Sequence, residues 1–237
     1  MSLKVVMFDL DGTLLPMNQD IFVKAYFGGL VKKLLPLGYE GEKLVKTIWY
    51  CTDAMINNNG EQSNEKVFWK VFESVYGERV REDMPMFDRY YYEDFDRVKD
   101  VCGYNPEAAK TVREIKKMGL RTVLATNPLF PRIATEKRLS WTGLETAEFE
   151  LYTTYENSSY TKPNPEYYVE ILNKIGVLPQ EVLMVGNDVS EDMIARNLGA
   201  NVFLITDNLI NKSGEDITKF PNGTFSDLIG YVKELIK

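Results

Sequence analysis

Leu3-Lys4-Val5-Val6-Met7-Phe8-Asp9-Leu10-Asp11-Gly12-Thr13 is the stretch that decides the architecture of this chain. The run from Leu3 to Phe8 is almost continuously apolar, as expected of a parallel strand covered on both faces. It ends in two carboxylates one residue apart. Successive strand side chains point to opposite faces, so Asp9 and Asp11 share one. Like charges held that close repel and push one pKa up unless a cation compensates them. A divalent ion at the strand's mouth is the economical compensation, and oxygen ligands suit magnesium. Gly12 lets the backbone turn away tightly, and Thr13 adds a hydroxyl at the same corner.

Four more apolar runs read as buried strands: Arg121–Thr126, Glu148–Thr153, Val182–Gly186 and Asn201–Thr206. Helical patterns lie between most of them. Asn105 caps and Pro106 opens a helix closed by Gly119, and Asn164 and Pro165 open another closed by Gly176. Leu228, Ile229, Val232, Leu235 and Ile236 recur at helical spacing near the end of the chain. Strand, helix, strand in sequence predicts an α/β fold with a doubly wound, parallel, five-stranded core sheet.

The interval after the first strand departs from that rhythm. Residues 20–35, 41–57, 63–76 and 84–99 are candidate helices, and no convincing strand interrupts them. An insertion of this length predicts a helical cap domain of residues 16–100 over a core of residues 1–15 and 101–237. Pro16–Asn18 and Asp94–Tyr104 would be its hinges. The insertion is rich in aromatic residues, including Trp49, Trp69 and Tyr90-Tyr91-Tyr92. A polar, Asn-rich stretch from Asp53 to Asn64 is a candidate for substrate contact.

Composition narrows the function. The 237 residues are 44% hydrophobic and 27% charged, as in an ordinary globular protein. A net charge of −7 lacks the basic footprint that nucleic acid requires. No apolar run approaches the ~20 residues that span a bilayer, and the N-terminal run leads straight into carboxylates rather than a signal-peptide pattern. Two lone cysteines, Cys51 and Cys102, suit a reducing compartment. A cytoplasmic protein without membrane, nucleic-acid or obligate protein partners is the expectation. The chain has no histidine, so any acid or base is a carboxylate, lysine, tyrosine or cysteine. Serine–histidine hydrolysis and histidine-ligated zinc are excluded.

Further polar clusters fall where strands end: Thr126-Asn127, Lys162 just ahead of a helix start, and Gly186-Asn187-Asp188 with Glu191 and Asp192. Open α/β sheets bind ligands beyond the carboxyl ends of their strands. Together with Asp9 and Asp11, these clusters supply carboxylates, a hydroxyl, an amide and a lysine. That inventory suits phosphoryl transfer to or from a small phosphorylated molecule. No P-loop spacing is present.

In these motifs, and along essentially its whole length, the chain resembles the haloacid dehalogenase superfamily, in particular its phosphatases with a helical cap inserted after the first motif. The resemblance rests on Asp9-Leu10-Asp11-Gly12-Thr13, Thr126-Asn127, Lys162 with Pro163-Asn164-Pro165, and Gly186-Asn187-Asp188 with Asp192. It implies a Rossmann-like core and a magnesium-dependent phosphohydrolase working through a phosphoaspartate. Asp9 would be the nucleophile, and Asp11 the general acid and then base. Thr126 and Lys162 would clamp the phosphate, with Asn127 beside them. Magnesium would be held by Asp9, the Asp11 main-chain carbonyl and Asp188.

Many members carry an aspartate where Asn187 stands. Asp188 is then the expected direct ligand, with Asn187 and Asp192 in support, and the reverse assignment of Asp188 and Asp192 is the alternative. A phosphomutase on the same scaffold is a second reading, although such mutases generally carry a cap histidine. Haloalkanoate dehalogenases lack the second aspartate that Asp11 supplies. A catalytically silent binding or regulatory protein is the third reading, and such members usually lose the nucleophile or the motif-four acid.

Overall fold

A computed structural model describes residues 2–237. Its sheet contains β1 (Val5–Phe8), β2 (Arg121–Leu124), β3 (Leu151–Tyr152), β4 (Val182–Gly186), β5 (Asn201–Ile205) and β6 (Asn222–Gly223). All neighbours are parallel, in the order β3-β2-β1-β4-β5-β6. The sheet therefore has six strands, not five. The extra strand is a two-residue edge of Asn and Gly, too short and too polar to show any apolar pattern.

The order reverses beside β1, which lies between β2 and β4 with Phe8 opposite both Leu124 and Val185. The alternation of β1 explains its unbroken apolar run. Val6 and Phe8 enter one core with Ala108, Val112, Leu228 and Val232. Val5 and Met7 enter the other with Tyr168, Ile171 and Leu172. Both faces are thus covered by helices.

Those helices follow their caps. In chain order the helices are α1 (Gln19–Leu34), α2 (Gly41–Ile56), α3 (Asn64–Tyr76), α4 (Val80–Glu93), α5 (Pro106–Lys117), α6 (Arg132–Trp141), α7 (Pro165–Ile175) and α8 (Phe225–Leu235). Asn105 and Asn164 each accept a backbone N–H at 3.0 Å, from Glu107 and Glu166, as their spacing predicts. The helix α6 has no counterpart among the expected elements, because its weakly sided pattern gives no clear helical stripe.

Other boundaries shift for local reasons. The third strand shrinks from Glu148–Thr153 because Thr146–Glu148 form a 3-10 turn, closed by Glu148 accepting Glu145 N–H. Helix α4 starts a turn earlier than residue 84, since Val80 and Arg81 donate to Gly77 and Glu78, ahead of Pro85. Beyond Glu93 it gives way to a 3-10 segment, Phe95–Val101.

The helices α1 to α4 share their apolar faces with the core rather than only with each other. Tyr26 and Phe130 stand 5.2 Å apart edge to face, and Phe95 lies 5.3 Å from Trp141. The two segments leading into and out of this layer run side by side. Gly103 N–H donates to Pro16 O at 2.7 Å, and Met17 pairs with Cys102. Among the described residues no helix is long and apolar enough to cross a membrane.

Candidate active site

The site forms where β1 and β4 end side by side. Asp9 N–H donates to Val185 O at 2.9 Å, so Asp9 leaves the sheet next to Gly186. Gly12 has φ +88, and a Cβ there would stand 2.4 Å from Asn187 Nδ2. Only glycine permits that turn against that neighbour. At Gly186 a Cβ would meet Asp192 Cγ at 2.1 Å, so the missing side chain lets Asp192 lie across the strand end.

Lys162 is 2% exposed and lies between two carboxylates. Its Nζ is 2.8 Å from Asp9 Oδ1 and 2.6 Å from Asp192 Oδ1. The Thr13 hydroxyl is 3.0 Å from Asp9 Oδ2 and 2.9 Å from Asn187 Oδ1, and its one proton serves either. Asn187 is fixed by donating to Asn208 O at 2.7 Å. Burial pushes the Asp192 carboxyl up to about 7, against the opposing pull of Lys162. Burial lowers and the two carboxylates raise the affinity of Lys162 for its proton, and the carboxylates prevail, so the lysine stays charged.

Asp11 takes a different partner. Its Oδ2 accepts a hydrogen bond from Arg138 Nη1, on helix α6. Arg138 is completely buried, stacked 4.4 Å over the Phe130 ring and 5.9 Å from that of Phe22, with Nε donating to Ala134 O. Burial raises the Asp11 pKa and Arg138 opposes that rise. The chain supplies each aspartate with a cation, Lys162 to Asp9 and Arg138 to Asp11, and neither pairing was expected from the sequence. Among the described residues no group of three or more acidic, cysteine or histidine side chains is gathered as a metal cage.

The motif-four segment, Gly186 to Asp192, leaves β4 in a tight turn followed by a 3-10 segment, Met193–Leu198. Asp188 Oδ1 accepts from Ser190 N and Glu191 N at 2.7 and 2.9 Å, while Asp188 N–H donates to Asp192 Oδ2 at 2.9 Å. Asp192 is thereby spent on Lys162 and the backbone, at 1% exposure, whereas the second oxygen of the half-buried Asp188 makes no such bond. Thr126 is buried at the end of the β2 run, with its carbonyl held by Thr153 and Tyr167 hydroxyls. Asn127 donates to Glu191 Oε2 at 3.2 Å. Burial raises the Glu191 carboxyl.

Asp9, Asp11, Thr126, Asn127, Asn187, Asp188, Glu191 and Asp192 form one wall of a cavity of about 260 Å³. The opposite wall comes from α1 to α4 and is mostly aromatic. Asp11 Oδ1 and Asn127 Oδ1 are buried at this wall without a partner, an arrangement that in a folded protein points to a missing ligand. The donor set is all oxygen, and its five carboxylates exceed the two cations that touch them, so a hard divalent cation fits it.

The polar Asp53–Asn64 stretch does not line this cavity. Asn64, fully buried, donates to Pro128 O and Tyr160 O at 3.3 and 3.4 Å, so the loop docks on the core instead. Sequence reasoning missed Arg138 and the contact made by Glu191. An arginine beside Lys137 reads as solvated, and nothing local signals its burial.

Residues 3–199 match the haloacid dehalogenase-like hydrolases, and the chain belongs to that family of enzymes. It is 26% identical over 194 residues to the pyrophosphatase PpaX of Bacillus velezensis, covering 82% of this chain and 79% of that one. It is also 26% identical over 242 residues to the glyceraldehyde 3-phosphate phosphatase of Methanothermobacter thermautotrophicus, covering 99% and 100%. The crystal structure of a 2-haloacid dehalogenase from Pseudomonas syringae shares the fold with a TM-score of 0.64, at 20% identity over 98% of this chain and 99% of that one.

Proposed function

We propose that the protein is a magnesium-dependent phosphatase of a small phosphorylated metabolite, using Asp9 as nucleophile. The observation that carries this reading is the pair of separately held acids at one cavity wall: Asp9 fixed by Lys162 and Thr13, and Asp11 raised by burial two residues on. A dehalogenase needs only the first. In the phosphatase reading the Asp9 carboxylate attacks phosphorus as the bond to the leaving oxygen breaks, and protonated Asp11 gives that oxygen its proton. Ionised Asp11 then takes a proton from water, which attacks the phosphoaspartate, frees phosphate and restores Asp9.

In this reading Thr126, Asn127 and Lys162 hold the phosphoryl oxygens, and residues 16–100, which contain α1 to α4, act as the cap over them. Asp9, the Asp11 carbonyl and Asp188 would hold the magnesium, supported by Asn187 and Asp192. When bound, the ion supplies charge neutralisation that lets a carboxylate approach a phosphate. The two reduced thiols, Cys51 and Cys102, suit a cytoplasmic setting.

Hydrolysis of p-nitrophenyl phosphate that requires magnesium and stops in excess chelator is the expected result. Full turnover in chelator, or none with any divalent ion, contradicts the reading. Magnesium titrations of two variants separate the motif-four acids. Asp188→Asn raises the half-maximal magnesium concentration strongly. Asp192→Asn acts through its neighbours, within the ~10–100-fold typical of outer-shell changes. The opposite ranking would make Asp192 the ligand.

Arg138 sets the pH dependence. Removing its charge in Arg138→Met takes away the largest pull against burial, so the Asp11 pKa rises further and its ionised form appears only at higher pH. The acidic limb of the kcat–pH profile then moves to higher pH, and Arg138→Lys moves it less. An unshifted limb in Arg138→Met removes Arg138 from control of Asp11.

A further inference from the structure

The wall of the cavity that faces the reacting acids carries information about the group that leaves with the phosphate. Trp49, Phe27, Leu30, Ile48, Phe68 and Tyr91 are among its members, and no lysine or arginine side chain lines the cavity. Several polar atoms of its aromatic residues pair with one another. Tyr26 and Tyr91 hydroxyls share a hydrogen bond at 2.8 Å, and Trp69 Nε1 donates to the Tyr155 hydroxyl at 3.4 Å. Thr52 donates to Ile48 O at 2.9 Å. The helical wall is therefore chiefly ring and aliphatic surface, with no cationic group on it.

Charge points the same way. The charged group that α1 to α4 bring to the lining is Asp88, an exposed carboxylate raised by partial desolvation and engaged in no ion pair among the described residues. A leaving group carrying its own carboxylate or phosphate would meet this anion with no cation to pair it, and an unpaired buried charge is strongly disfavoured. An apolar group would instead displace water from aromatic surface.

Resting on the phosphatase reading above, we propose that the substrate is a phosphate monoester of an uncharged, predominantly apolar alcohol. A cavity of about 260 Å³ sits just under the ~300 Å³ at which small-molecule sites begin, so the alcohol is small, of the size of a single ring. The reading departs from a pyrophosphatase, whose leaving group is itself a phosphate anion.

The test compares esters of alcohols with similar leaving ability on the magnesium-loaded enzyme. Benzyl phosphate should be hydrolysed with kcat/KM at least about tenfold above phosphoglycolate, the difference lying mainly in KM. Asp88→Lys should narrow that ratio by raising kcat/KM for phosphoglycolate. Binding of the non-hydrolysable benzylphosphonate and phosphonoacetate, followed by the fluorescence of Trp49 and Trp69, reads the same preference without turnover. Equal or tighter binding of phosphonoacetate, or equal or faster turnover of phosphoglycolate, overturns the proposal. If no ester is hydrolysed but benzylphosphonate still binds about tenfold tighter, the phosphatase reading falls and the apolar specificity stands.

Discussion

Asp9→Asn is expected to lower kcat by at least about 10³-fold, the order lost when a covalent nucleophile is removed. The substitution keeps the size of the side chain and leaves an oxygen for Lys162 and Thr13, so the local geometry survives while the attacking charge is gone. Steady-state turnover of p-nitrophenyl phosphate measures the loss, and acid-quenched enzyme should carry labelled phosphate in the parent but not in the variant. Activity within tenfold of the parent would exclude Asp9 as nucleophile.

Lys162→Met produces the second large effect, and on stability as well as turnover. The lysine is buried with a carboxylate on either side, at 2.8 and 2.6 Å. Breaking a buried pair by removing one partner costs about 3–5 kcal/mol, because the remaining charge stays desolvated. Two carboxyl groups lose their cation here, and Asp192, already raised by burial, is raised further. Urea unfolding should show a midpoint well below that of the parent, with turnover lost. The double variant Lys162→Met/Asp192→Asn removes one of these carboxyls. It should regain part of the stability and none of the activity. Equal stability of parent and Lys162→Met would mean that Asp9 and Asp192 do not depend on this cation.

The sequence carried the sheet well because parallel strands covered on both faces must be apolar throughout, and Val5 to Phe8 and Val182 to Val185 are. The helix starts at Asn105-Pro106 and Asn164-Pro165 were equally legible, since a cap acts through its immediate neighbours. What escaped depended on distant partners. Arg138 is 127 residues from Asp11, and only the packing of α6 against Phe130 and Phe22 turns it inward. A strand of two residues such as Asn222-Gly223 has no pattern to read. The two aspartates were legible as a pair, but their private cations were not. A spacing of two residues says that charges are close, and it does not say which side chain arrives to meet each one.

The sheet's two outermost strands, Leu151–Tyr152 and Asn222–Gly223, are each only two residues long. A free edge is a template on which another chain can add itself, through its row of unpaired amide and carbonyl groups. At about 3.3 Å per residue each margin offers less than 7 Å of template, and Pro221, which has no N–H to donate, stands immediately before one of them. A six-stranded sheet with interior strands of four or five residues therefore ends, on both sides, in margins that offer little template for strand-by-strand aggregation. Mutations that extend either margin with β-branched residues would trade that resistance away, without touching the chemistry at the centre of the sheet.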